Sequence, residues 1–165
     1  MKAKLNLKKY RFTTFLFFTI FLLNIRCNNI NNKETKVNSI EVKVKVDRFD
    51  EVFDTLSESN ISNIKKKYPF LFPSNYSNTF WLNKSNDTLY NLLKKAVTNK
   101  FKDFNEIEDD MSHFYKHLKY EFPQVKVPRI ISVINNVDYE NKLILADTLL
   151  IISIDSYLGA NHSLY

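Results

Sequence analysis

The sequence predicts an α+β domain, mostly helical, that opens on a strand and closes on a β-hairpin or buried strand. Three observations predict it. Ile40, Val42, Val44 and Val46 alternate with Glu41, Lys43, Lys45 and Asp47, a strict period of two with one wet face. Residues 48–122 carry apolar residues at helical spacing, punctuated by Pro69 and Pro73 and followed by Pro123. Residues 142–159 (KLILADTLLIISIDSYLG) hold the most continuous apolar run and end on Gly159, the single glycine. Such a run reads as a strand buried on both faces, around which the helices would be organised.

The first 27 residues stand apart from this domain. Lys2, Lys4, Lys8, Lys9, Arg11 and Arg26 all precede Cys27, and no acid does; the other 18 basic residues are matched by 18 acids. The pI near 9.2 therefore belongs to the leader, and the neutral body offers no electrostatic footprint for nucleic acid. Residues 12–23 form an apolar core behind this positive region, shorter than the ~20 residues a permanent membrane helix needs. The pattern is that of a secretory signal. Cys27, the only cysteine, has no partner for an internal disulfide. Its place directly after the apolar core resembles a bacterial lipoprotein acceptor, with Arg26 where Gly, Ala or Ser normally stands. Residues 1–27 are thus expected to be a signal peptide with lipid attachment at Cys27. Residues 28–39, rich in Asn, are expected to be a flexible tether, and 40–165 a single α+β domain.

Within that domain the elements follow in order. After the strand, Phe49, Val52, Phe53 and Leu56 share one helical face. A second short helix spans 57–68, its lysine run Lys65–Lys67 at the end that the helix dipole favours for cations. The stretch 68–73 (YPFLFP) reads as extended, pinned between prolines, and Phe80, Trp81 and Leu82 as an apolar knot in a polar segment. Asn86 or Asp87 is placed to cap a helix with Leu89, Leu92, Leu93 and Ala96 inward. Asp103 with Glu106 opens a further helix with the stripe Phe104, Ile107, Met111, Phe114 and Leu118, closed before Pro123. Residues 129–134 have strand character, 135–138 turn chemistry, and 142–146 could pair back on 129–134 as a hairpin. The apolar run lies so near Tyr165 that either the fold is economical or a further C-terminal half covers it.

Chemistry-bearing patterns are few. His113 and His117 lie four apart on one helical face, with Asp110 one turn earlier. That is the ligand spacing of an HExxH zinc helix, but Phe114 occupies the general-base position, so zincin hydrolysis is not supported. No metal site is assigned; His113, His117 and Asp110 are the candidates for one. A single glycine excludes Gly-rich phosphate loops, and no cofactor is expected. No nucleophile elbow is present and no catalytic residue is assigned. Asp54, Asp87 and Asp147 each open an Asp-Thr-Leu triplet, which resembles an O-glycosylation acceptor of bacterial envelope proteins but which helix capping and chance explain more simply. Asp155, Tyr157 and Gly159 could shape a site at the end of the apolar run, although the glycine more simply supplies a turn or cap.

An ordered set of segments carries a family resemblance: VKVDRF (44–49), KYPFLFP (67–73), Trp81, HLKYEFP (117–123), VDYENK (137–142) and ADTLLIISIDSYLG (146–159), followed by His162. In this order and spacing the chain resembles the gliding motility lipoprotein GldB family of Bacteroidetes, from Cys27 to Tyr165. The resemblance implies a non-enzymatic, lipid-anchored, periplasm-facing envelope component of the gliding machinery, associated with type IX secretion. It would contact other gliding or secretion proteins, with the membrane held through its N-terminal lipid. Family members run to about twice this length, so the N-terminal half is expected here. A remoter likeness is to zincin-like proteases, in which a strand like 142–154 precedes the metal helix. On that alternative the chain is the N-terminal half of a zincin-like hydrolase or its inactive remnant, with the edge strand but not the metal helix.

Overall fold

The computed structural model describes residues 28–165, so the predicted signal peptide and Cys27 lie outside the described residues. The fold is α+β, six helices around one four-stranded mixed sheet among those residues. The helices are α1 (Asn28–Asn38), α2 (Phe49–Asp54), α3 (Ile61–Lys67), α4 (Asn78–Ser85), α5 (Thr88–Lys100) and α6 (Asn105–Glu121). The strands are β1 (Val46–Arg48), β2 (Arg129–Val133), β3 (Leu143–Ala146) and β4 (Leu149–Ser153), in the order β1-β2-β4-β3. β1 and β4 both run parallel to β2, whereas β3 pairs antiparallel with β4 and forms one edge.

The alternation over 40–47 survives as burial, with Val44 and Val46 inward and Lys43 and Lys45 exposed. Only Val46–Arg48 joins the sheet, however. Upstream, the extended backbone finds helix side chains instead of a neighbouring strand. Val44 N–H donates to Ser112 Oγ (2.8 Å) and Val46 N–H to Glu108 Oε1 (3.0 Å). The donors are satisfied either way, so the segment needs no ladder to stay extended. Lys45 closes the arrangement with an ion pair to Glu108, whose carboxyl is held below its ordinary range chiefly by that hydrogen bond.

Three expectations about the strands change. The strand buried on both faces is β2, not the run 142–159: Ile130, Ile131 and Ser132 are essentially inaccessible. β2 has strands on both sides and helix α2 packed on it, which is why it reads as continuous apolar sequence. The run 142–154 divides at Asp147-Thr148 into β3 and β4, with Asp147 at φ 50° in the turn. The hairpin is therefore β3–β4, because a two-residue loop fixes that pairing locally, while β2 meets β4 in parallel.

The helices correct other details. Residues 28–38, expected as a flexible tether, form α1, which packs on α6 with Val37 fully buried and Lys33 paired to Glu121 at 2.6 Å. The short helices occupy only 49–54 and 61–67 of the stretches expected for them. Residues 69–71 of the proline-bracketed segment make a single 3₁₀ turn. The apolar knot at 80–82 lies within α4, capped by Ser77 Oγ accepting from Phe80 N–H. Asp87 caps α5 as expected, accepting from Tyr90 N–H at 3.1 Å. The buried face of α5 is Tyr90, Leu93 and Val97, with Leu89 and Leu92 exposed. Asp103 accepts from Asn105 N–H, and along α6 Tyr115 turns inward while Phe114 is exposed.

An aromatic cluster fills the space between β2 and the helices. Phe49 meets Tyr68 edge-on (4.8 Å), Phe53 meets Tyr90 (5.2 Å), and Phe72 meets Trp81 (5.0 Å). These are the offset and edge-to-face geometries that aromatic quadrupoles favour. Buried polar groups are tied down. Asp50 accepts from the Arg48 guanidinium (2.6 Å) and from Ser132 Oγ, joining α2 to β1 and β2. Asp155, wholly buried, accepts from Asn135 N–H (3.1 Å) and Val137 N–H (2.7 Å). It thereby holds a turn in which Asn136 and Val137 both have positive φ, a conformation a β-branched residue seldom adopts.

Candidate functional site

Two features stand out from the surrounding surface. The first is the β3 edge. Leu143, Ile144 and Leu145 are 53%, 39% and 70% exposed, so three consecutive large apolar side chains lie open on a strand whose outer edge has no neighbouring strand among the described residues. Exposed apolar patches of this kind mark interaction surfaces, and an unpaired edge offers its N–H and C=O groups to another chain. Ile144 and Ile151 also line a cleft of about 300 Å³, walled opposite by Phe49, Phe53 and Trp81. The cleft is mainly apolar, with Asp50, Lys84 and Ser153 at its margin. Trp81 Nε1–H is buried without a hydrogen-bond partner. The edge strand thus continues into a concave aromatic wall.

The second feature is on α6. His113 and His117 project from one face as their spacing requires, their rings 4.5 Å apart. The acid that joins them is Glu34 of α1, not Asp110: His113 Nε2 is 3.2 Å from Glu34 Oε1, and His117 Nε2 is 3.6 Å from Oε2. The sequence signal for Glu34 is faint. Ile30 and Val37, one heptad apart, are the only apolar residues in 28–39, so the helix carrying Glu34 shows almost no stripe.

The remaining candidates take structural places. Cys27 lies outside the described residues. Asp54 pairs with Lys94, Asp87 is a helix cap and Asp147 makes the β-turn, so the three Asp-Thr-Leu triplets do three different jobs. His162 Nδ1 accepts from Leu164 N–H. Asp155 serves the 135–137 turn; its burial raises the carboxyl above the ordinary value, against the pull of the N–H groups it accepts from. Gly159, at φ 128°, sits where an L side chain would be strained, beside Leu158 whose carbonyl accepts from Lys100 Nζ (2.7 Å).

A family model for gliding motility protein GldB matches residues 30–165. The chain belongs to the GldB family. Searches of curated proteins and of solved structures returned no match. Membership implies a gliding motility lipoprotein, and the family suggests a membrane-anchored place at the cell envelope. No helix among the described residues is long and apolar enough to cross a membrane. The segments that carried the GldB resemblance fall on β1–α2, the aromatic cluster, the end of α6, the 137–142 turn and β4 with its following 3₁₀ turn.

Proposed function

We propose that this GldB-family chain works without catalysis, held by a lipid on Cys27 facing the periplasm, and contributes to gliding and type IX secretion through protein contacts. The observation that carries the contact reading is the apolar β3 edge. Its occupant, on this reading, is an extended segment of another envelope protein of that machinery, added as a fifth strand beside β3. Backbone hydrogen bonds to the free edge would give affinity, and side chains reaching Ile144 and the aromatic cleft would give selectivity.

The test is site-specific photocrosslinking from position 145 in intact gliding cells, with mass spectrometry of the adduct. The expected result is an identified gliding or secretion envelope protein, crosslinked through an extended segment. No adduct from position 145, in cells whose gliding depends on this gene, overturns the contact reading. An unmodified Cys27 in the mature protein overturns the anchor.

A second reading, a zincin-like hydrolase or its inactive relative, draws on the paired histidines of α6. Phe114 at the general-base position argues against it. Zinc-dependent cleavage of an unfolded protein substrate, lost in His117→Ala, would favour the hydrolase.

A further inference from the structure

We infer that Glu34, His113 and His117 form a binding site for a divalent transition-metal ion of the zinc class, which clamps α1 to α6. The geometry comes first. The two Nε2 atoms are 3.3 Å apart; Glu34 Oε1 lies 3.2 Å from that of His113 and Glu34 Oε2 3.6 Å from that of His117. Four ligands around Zn²⁺ at about 2.0–2.2 Å sit at tetrahedron corners separated by about 3.3–3.6 Å. The two ring nitrogens already stand at the spacing of two such corners, and one ligand atom from each of the three residues lies within 4.8 Å of the others; a carboxylate oxygen and two ring nitrogens are an ordinary zinc donor set.

A neutral imidazole carries one N–H. If His113 Nε2–H donates to Glu34, the same nitrogen has no lone pair left for a proton from His117. If His117 Nε2–H donates to His113, then His113 Nε2 faces the Glu34 carboxylate lone pair to lone pair. With both rings protonated at Nε2, each N–H faces a different Glu34 oxygen and the Nε2–Nε2 contact carries no hydrogen bond; a cation would engage all three residues together.

The site is reachable. The side chains of Glu34, His113 and His117 are 43%, 57% and 35% exposed, so an ion can enter and the fourth position is left to water. Phe114, where a zincin helix has its base, leaves that water without a proton acceptor from the helix, so the role is structural. The ligands belong to helices 79 residues apart in sequence. A clip across so long a separation removes much freedom from α1, in which Val37 is the buried residue among the described side chains of 32–38. Cys27 directly precedes α1, so metal occupancy also sets how firmly the body is held relative to its anchor. That consequence rests on the lipid-anchor reading; the metal site does not.

The experiment is calorimetric titration of Zn²⁺ into the full-length chain in detergent, paired with amide hydrogen exchange. One ion per chain is expected. Glu34→Gln, His113→Ala and His117→Ala should each weaken binding by about 10–100-fold or more, the range that even supporting residues of metal sites command. Asp110→Asn and His162→Ala should leave it unchanged. Zn²⁺ should slow exchange across α1 in the natural chain and not in Glu34→Gln. Binding that survives Glu34→Gln, binding lost with His162→Ala, or α1 exchange indifferent to Zn²⁺ would each overturn the site. All five positions are solvent-accessible, so circular dichroism will show these variants folded. Absence of zinc binding would leave the contact reading of β3 standing, and a failed crosslink from β3 would leave the metal site standing.

Discussion

The two sides of the sheet use apolar residues in opposite ways. At β2, Ile130 and Ile131 are sealed between neighbouring strands and helices, and the polar groups beside them are bonded through Asp50, Arg48 and Ser132. At β3, Leu143 and Leu145 are as apolar as anything in β2, yet both are more than half exposed. Composition does not separate the two strands. Cover does, and cover is what distinguishes a residue that holds the fold from one available to hold a partner.

Substitutions measure that contrast directly. Ile131→Ala deletes a fully buried side chain from the central strand and should cost about 2–5 kcal/mol, read from urea midpoints. Leu145→Ala, 70% exposed, should change stability by no more than about 0.5 kcal/mol. Equal losses would erase the distinction between core and contact strand. Between those extremes, Gly159→Ala forces an L side chain to φ 128° and should cost about 1 kcal/mol or more. A neutral result would mean the 158–165 loop relaxes freely.

The buried side also titrates where the exposed edge cannot. Asp155 holds its proton more tightly folded than unfolded, because burial disfavours its charge. Its contribution to stability is therefore complete below the unfolded carboxylate value and is lost as pH rises through the folded one. The stability advantage of the natural chain over Asp155→Asn should shrink as pH rises from below the ordinary aspartate value to well above it, followed by urea unfolding at each pH. A constant or growing advantage would contradict the assigned sign.

What could be read in advance follows from the range over which each signal acts. The period of two at 40–46 survives because it records which face is wet, whichever group satisfies the backbone. Asp87 was readable as a cap because capping is a local hydrogen bond. The β2–β4 pairing was not, since a parallel pair joined through an intervening strand has no turn to announce it. In α5 and α6 the apolar count admitted two neighbouring faces. Tyr90, Val97 and Tyr115 took the inside, and Leu89, Leu92 and Phe114 were turned out. Glu34 was least legible, because its helix owes its place to contacts with α6 and not to a stripe of its own. The apolar run 142–154 reads as buried on both faces because apolar continuity does not say whether cover is present. The structure shows that β4 is partly covered, while β3 stays open.

The most direct test replaces the natural gene in gliding cells with Leu145→Lys and scores colony spreading alongside the amount and unfolding midpoint of the purified protein. A charge at this exposed position should leave abundance and stability unchanged and abolish or sharply reduce spreading. Normal spreading with Leu145→Lys stably present would contradict the claim that the β3 edge is where this GldB-family chain meets its partner.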